Sequence, residues 1–222
     1  MGKVIAALAA DWGYIIHTEV DSTENAGGQA LTRQRLAGSD VAIEFTRPEA
    51  VVANLEKLIG LGIPTVTGTT GWSHQLPRVA ALVKARGGAL LHAANFSVGV
   101  HLFLRGAEEL AKKMRARPEF VASIVEQHHA SKRDAPSGTA LLLQRMLRSA
   151  DPERPVPITS LREGTVPGTH SLTYETGHET ITLNHVARDR QAFAAGALMA
   201  AEWLPGKSGV FTFEDLLFGD TA

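Results

Sequence analysis

The stretch Val41-Ala42-Ile43-Glu44-Phe45-Thr46-Arg47-Pro48-Glu49 passes from an apolar run of strand length straight into a helix start. Residues 41 to 45 read as a buried strand, and Thr46-x-x-Glu49 has the form of a capping box in front of Val51, Val52, Leu55, Leu58 and Ile59, which are spaced for one face of a helix. The same order recurs downstream. Residues 63 to 67 read as strand, Gly68-Thr69-Thr70-Gly71 as turn, Ser73 as cap of a helix running to residue 86, and residues 89 to 94 as strand. Strands alternating with helices of this length predict an α/β fold with a parallel sheet of right-handed βαβ units. Upstream, residues 2 to 12 read as a helix closed by Gly13, and residues 14 to 20 as a further strand.

Beyond Asn95 the pattern changes. Residues 98 to 114 form a long helical pattern, 120 to 126 a strand and 139 to 148 another helix, while the proline-rich residues 151 to 157 predict an exposed loop. Residues 158 to 162, 170 to 175 and 180 to 186 alternate with period two. Gly177-His178 offers a turn between the last two, which predicts a hairpin in a mostly antiparallel sheet. A helix over 191 to 203 and an apolar tail over 210 to 217 are candidates to return to the first sheet. The expected division is a first domain over 1–96, completed by 191–222, and a second over 97–190.

The 222 residues are 44% hydrophobic and include no cysteine, which excludes disulfides, thiolate metal sites and thiol nucleophiles. Lys+Arg number 22 against Asp+Glu 23, so no bulk charge points to nucleic acid or an anionic membrane. No apolar run approaches the about 18 residues that span a bilayer. The short apolar run after Lys3 fits an amphipathic helix better than a signal peptide, and Ala6 stands where a myristoylation motif wants Ser or Thr. A soluble, cytoplasmic chain is the expectation.

Three places carry candidate chemistry. Gly2 stands where the third glycine of a dinucleotide fingerprint would lie, and Asp21 follows near the offset of about 20 residues at which an acidic residue meets the ribose. Asp21 reads equally as a strand-end turn residue; facing a ribose, it would repel a 2′-phosphate and favour NADH over NADPH. Gly68, Thr69 and Thr70 lie at the carboxyl end of a parallel strand, where open α/β sheets bind ligands, though a plain βα turn is the commoner meaning of such a tetrapeptide. Ala93, Ala94, Asn95 and Phe96 end the next strand in the same way, with Asn95 either a carboxamide partner or an Asx-turn residue. The densest segment is Glu126-Gln127-His128-His129-Ala130-Ser131-Lys132-Arg133-Asp134-Ala135-Pro136-Ser137-Gly138-Thr139-Ala140. Amides of Gly138 and Thr139 at a helix start, with His129 and Lys132 as charge-assisted donors, would bind a carboxylate. His128 could pass a proton, and so could Lys132 if neighbouring cations lower its pKa. A solvated basic loop capped by Ser137 is the other reading. Adjacent histidines without a third ligand at metal spacing make no metal site.

That segment, together with Ala-Ala-Asn-Phe-Ser-Val-Gly-Val at residues 93 to 100, Phe-Thr-Arg-Pro-Glu at 45 to 49 and Gly-Thr-Thr-Gly at 68 to 71, resembles the 4-hydroxy-tetrahydrodipicolinate (dihydrodipicolinate) reductase family over nearly the whole chain. The resemblance implies a Rossmann-like nucleotide domain and an α+β substrate domain whose open mixed sheet builds a homotetramer. It implies hydride transfer from NADH or NADPH to C4 of a cyclic dicarboxylate with loss of its hydroxyl, in lysine and diaminopimelate biosynthesis. His128 then matches a proton donor or acceptor and Lys132 a proton donor. His129, Gly138, Thr139 and Arg190 match substrate contacts, and Gly68 to Thr70 and Ala93 to Phe96 match cofactor contacts.

Members of the family begin with a strand and a glycine-rich turn ending in Met-Gly, and this sequence starts at that Met-Gly. The expectation is therefore of an upstream strand beyond the given sequence, whose absence would expose a neighbouring strand edge and remove pyrophosphate contacts. A non-catalytic dicarboxylate-binding paralogue is the competing reading, and another nicotinamide oxidoreductase of similar build is disfavoured by the segment from Lys132 to Thr139.

Overall fold

The computed structural model describes residues 1–219. Their contacts divide them into two compact units, Met1–Ser97 with the segment from Gln191 onward, and Val98–Arg190.

The first unit contains α1 (Gly2–Ala9), β1 (Ala42–Glu44), α2 (Pro48–Gly60), β2 (Thr65–Thr67), α3 (Leu76–Arg86) and β3 (Ala89–His92), and later α6 (Gln191–Trp203), β8 (Gly209–Thr212) and α7 (Phe213–Phe218). Its sheet is fully parallel in the order β1-β2-β3-β8, so the C-terminal tail joins the sheet as an edge strand beside β3. Val51, Leu55 and Ile59 of α2 meet Val79 and Val83 of α3, Trp72 and Leu90 in a buried core, as their helical spacing predicts.

Three local expectations fail here, each for a physical reason. Residues 14 to 20 form no regular element and pair with no strand among the described residues. A cavity of about 330 Å³ separates them from β1, lined also by Gly2, Ile5, Ala6, Leu198 and Ala201. A strand needs a partner at about 4.8 Å, and none is there. Ile15 is consequently 93% exposed, and β1, paired only with β2, is a sheet edge. The capping box does not form: Arg47 is the N-cap of α2, with Pro48 at its start. The helix starts one residue later than the box requires, and the Thr46 hydroxyl instead donates to the buried Glu44 carboxylate while its oxygen accepts from Asn54 Nδ2 at 3.4 Å. Ser73 likewise caps nothing; it opens a short 3₁₀ turn, Ser73–Gln75, ahead of α3.

The second unit contains α4 (Val98–Met114), β4 (Val121–His128), α5 (Gly138–Ala150), β5 (Ile158–Arg162), β6 (Gly168–Glu175) and β7 (Thr180–Ala187). Its sheet, ordered β5-β4-β6-β7, is mixed: β4 runs parallel to β5 and antiparallel to β6. One face is covered by α4 and α5 over a core of Phe103, Leu104, Ile124, Leu143, Leu172 and Tyr174. The opposite face leaves Val121, Val125, Leu161 and Val186 exposed. The proline-rich segment is irregular, with Pro152, Glu153, Pro155 and Pro157 exposed as its composition predicts, but Asp151, Arg154 and Val156 are buried. Arg154, 9% exposed, pairs with Asp151 at 2.8 Å and donates to the carbonyls of Met114, Arg117 and Phe120. Satisfying carbonyls at and beyond the C-terminus of α4 draws the segment inward.

Candidate functional site

The period of a strand builds the densest site. On β4 the side chains of Ala122, Ile124, Glu126 and His128 share one face, and all four are buried. The first two enter the apolar core. The last two continue the face toward the strand end, where the partner strands supply Ser160 and Arg162 from β5 and His170 from β6.

Glu126, with no exposed surface, is the hub of this cluster. Its Oε1 accepts from Arg162 Nη2 at 2.7 Å and from the Ser137 amide at 3.4 Å, and its Oε2 meets Nδ1 of His128. Burial pushes the Glu126 carboxyl up, but hydrogen bonds from Arg162 and Ser160 and the charges of His128 and Arg162 outweigh it and hold the carboxyl below its usual range. Burial lowers the His128 pKa. The Glu126 charge and hydrogen bond oppose this, Lys132 and Arg162 reinforce it, and the net shift is downward. A neutral His128 that donates Nδ1–H to Glu126 leaves the lone pair of Nε2 on the side of Gly168. Gly168 makes room for that atom, since a Cβ there would sit 3.0 Å from Nε2.

Ser137 caps α5, accepting from the Ala140 amide at 3.3 Å, and its hydroxyl meets Nε2 of His170 at 3.3 Å. Gly138 and Thr139 therefore head the helix with amides that no intrahelical carbonyl can reach. In the intervening loop the Lys132 ammonium is held by Asp134 at 2.7 and 2.9 Å, and Nδ1 of His129 meets the Ser131 hydroxyl at 2.8 Å. The loop is largely exposed, as the reading of a capped basic loop predicts, but Lys132 within it is tied to Asp134, and Ser137 at its end is tied to Glu126 and His170. Arg190 is exposed at the end of the second unit and makes no hydrogen bond with the cluster among the described residues. Glu126, His128 and His170 offer ligand atoms within 4.8 Å of one another. The Arg162 guanidinium already neutralises Glu126 there and would repel a metal cation.

The first unit's candidates separate. Thr69, Thr70, Ala93 and Ala94 line one cavity of about 160 Å³ together with Trp72 and His92, at the carboxyl ends of β2 and β3. Gly68 does not line it. The ring that Gly68 admits is the chain's own Phe45, whose Cε1 would lie 2.0 Å from a Cβ at this position. Phe96 is core, its ring packed between Phe45 and Phe213, so it offers a ligand backbone only. Asn95 accepts from the Ser97 amide at 2.8 Å, as an Asx turn does. Asp21 is exposed and accepts from the Thr23 amide at 2.9 Å, while Gly2 lines the larger cavity beside β1.

Comparison with known proteins decides what this pair of units is. The family described as "Dihydrodipicolinate reductase, N-terminus" matches residues 1–96, and "Dihydrodipicolinate reductase, C-terminus" matches residues 99–217. The chain belongs to the dihydrodipicolinate reductase family. A 4-hydroxy-tetrahydrodipicolinate reductase of Christiangramia forsetii is 40% identical over 190 residues, covering 80% of this chain and 79% of that protein. One of Myxococcus xanthus is 36% identical over 96% of this chain and 82% of its own length. The fold is also that of a dipicolinate-bound dihydrodipicolinate reductase from Paenisporosarcina sp. TG-14, at a TM-score of 0.68 and 23% identity over 82% of this chain and 76% of that one. Membership in the dihydrodipicolinate reductase family makes the chain an oxidoreductase and implies a nicotinamide cofactor. The cavity at Thr69, Thr70, Ala93 and Ala94 fits the ring of such a cofactor. It is open at the strand ends, lined by small side chains and hydroxyls, and floored by Trp72 and His92.

The sequence reading missed the roles of Glu126, Arg162, Gly168 and His170. The i, i+2 spacing of Glu126 and His128 was a usable signal, because a strand puts such a pair on one face. Arg162 and His170 are 36 and 44 residues from Glu126 in sequence, and only the sheet register brings them to it.

Proposed function

We propose that the chain reduces 4-hydroxy-tetrahydrodipicolinate to tetrahydrodipicolinate, within lysine and diaminopimelate biosynthesis. The observation that carries this reading is the buried Glu126–His128 pair set beside the α5 N-terminus. It combines an oriented imidazole with an anion cradle, which a dicarboxylate that exchanges protons needs. A bound reduced nicotinamide, held at Thr69, Thr70, Ala93 and Ala94, supplies the hydride to C4. The overall change takes up one hydride and one proton and releases water. Neutral His128, held by Glu126, accepts a ring proton at Nε2 as the 4-hydroxyl leaves, and Lys132 supplies the proton that follows hydride addition. The amides of Gly138 and Thr139, His129 and Arg190 hold the carboxylates. Asp21 at the ribose end favours NADH over NADPH, through repulsion of a 2′-phosphate. The exposed face of Val121, Val125, Leu161 and Val186 would be covered by other copies of the chain in a homotetramer.

Turnover of NADH that depends on the condensation product of aspartate semialdehyde and pyruvate is the expected result. The unpaired segment 14 to 20 and the cavity beside β1 favour one second reading, a chain that binds the dicarboxylate but holds the cofactor weakly. Calorimetry separates the two: dicarboxylate binding by a folded sample with no detectable affinity for either nicotinamide would reject the reductase reading.

A further inference from the structure

Arg162 ends β5 directly across from His128. Its Nη2 donates both to Glu126 Oε1 at 2.7 Å and to the Asp134 carbonyl at 2.5 Å, and Nη1 donates to the Leu161 carbonyl at 2.6 Å. Glu126 in turn holds Nδ1 of His128, and the Asp134 carboxylate holds the Lys132 ammonium. One guanidinium nitrogen therefore joins the strand that carries His128 to the loop that carries Lys132. We propose that Arg162 is a positioning residue of the reductase: its Nη2, oriented by the rigid guanidinium whose Nη1 is held on the Leu161 carbonyl, fixes the two proton-transfer groups relative to each other.

This rests on the roles given to His128 and Lys132 above, and it goes beyond them by naming what couples the two. A lysine in place of Arg162 would keep the charge but not the planar guanidinium, so it loses the Nη1 bond to the Leu161 carbonyl that aims Nη2 at both acceptors. Small displacements of reacting groups cost large factors in rate while leaving carboxylate binding at the helix N-terminus in place. The charged and titratable groups around His128 are Glu126 on its own strand, Arg162 on β5, His170 on β6 with His185 behind it on β7, and Lys132 and Asp134 in the loop. Removing the Arg162 charge unmasks Glu126 and takes a cation away, and both changes raise the titration midpoint of His128.

The test compares Arg162→Met and Arg162→Lys with the unmodified chain. The His128 imidazole is titrated by NMR with exposed His178 as internal reference, and kcat and KM are measured beside it. Arg162→Met should raise the His128 midpoint by roughly one pH unit, leaving His178 in place. It should also lower kcat at least about tenfold with KM within about threefold. Arg162→Lys should leave the midpoint near its original value and still show the loss in kcat. An unmoved His128 midpoint in the methionine variant, or full kcat in the lysine variant, overturns the proposal. Where the methionine variant does not fold, the lysine variant decides alone: lost kcat in a folded chain supports the clamp and full kcat refutes it. A parent chain that turns over no dicarboxylate while its His128 midpoint still follows Arg162 would sink the reductase reading and leave the clamp standing.

Discussion

In the second unit the candidate site is a set of ionisable side chains on one face of a mixed sheet, with Glu126 accepting from Arg162, from Ser137 and, through its second oxygen, from His128. In the first unit it is backbone and small side chains at the ends of parallel strands, with another buried carboxylate behind them. Glu44 accepts from the hydroxyls of Thr46, Thr67 and Thr69 and from Asn54, with no cation among these partners. Both carboxylates are surrounded by donors, but of different kinds. Glu126 is neutralised by an arginine and so can steer a titrating histidine. Glu44 is solvated by neutral donors and so braces the turn at Thr69, whose hydroxyl also accepts from the Thr46 amide at 2.7 Å. The contrast is between a site of ionisable groups, to which the proposed function assigns proton transfer, and one that holds a shape, and the same substitution chemistry should act differently on the two.

The largest effect belongs to the ionisable site. His128→Gln should lower kcat by about 10²- to 10⁴-fold, with a much smaller change in the dicarboxylate dissociation constant. Steady-state kinetics beside calorimetry check this, and turnover near that of the parent chain would remove His128 from the mechanism. The acid response comes next. His170 is brought from the ordinary 6.5 to about 4, first by burial and then by His128, His185 and Lys132, with Glu126 opposing. Its folded-state pKa lies below the unfolded one, so the unfolded chain binds more protons in the window between them. Stability is therefore full above about pH 6.5 and falls as the pH drops toward about 4, by up to about 3 kcal/mol from this residue. Urea unfolding midpoints across that window should fall steeply for the parent chain and less for His170→Gln; equal slopes would show that His170 does not report the buried cluster.

The same contrast explains what the sequence could disclose. The cradle was legible because a short segment concentrates His128, Lys132, Gly138 and Thr139 between a strand and a helix, so local spacing carries most of its chemistry. The parallel sheet was legible from strand–helix alternation, and the tail's return was anticipated, though not its pairing as β8. What failed depended on partners remote in sequence. Residues 14 to 20 have the composition of a strand, but a strand exists only where a neighbour pairs with it. Thr46 has the offset of a helix cap, but its hydroxyl is engaged by the buried Glu44 and by Asn54, both outside its local sequence pattern, and the N-cap of the helix is Arg47. The segment at 151 to 157 has the proline content of a surface loop, yet Arg154 finds carbonyls beyond α4 to satisfy. Arg162 looks in sequence like any polar strand-end residue, and only register gives it Glu126.

Glycines sharpen the comparison at smaller amplitude. Gly68→Ala places a methyl against the Phe45 ring and should destabilise the first unit by about 1–3 kcal/mol. Gly138→Ala meets nothing within 4 Å, keeps its backbone amide for the carboxylate and should change stability by less than about 1 kcal/mol. Thermal melts of the two variants check this, and a Gly138→Ala chain as unstable as Gly68→Ala would mean that the helix start is packed rather than open.

The smallest effect expected is at Asp21, and it asks whether the first unit uses any charge on its ligand. The side chain is exposed and engaged in a turn with Thr23, so the repulsion of a 2′-phosphate proposed for it would act through water and be screened by salt. Asp21→Asn keeps an oxygen for the Thr23 amide and removes only the charge. It should lower the KM for NADPH by up to about fivefold, leave that for NADH nearly unchanged, and lose the difference at high salt. Equal shifts for both cofactors would reduce Asp21 to a turn residue. The first unit would then recognise its cofactor by shape and backbone alone, in full contrast to the charged cradle of the second.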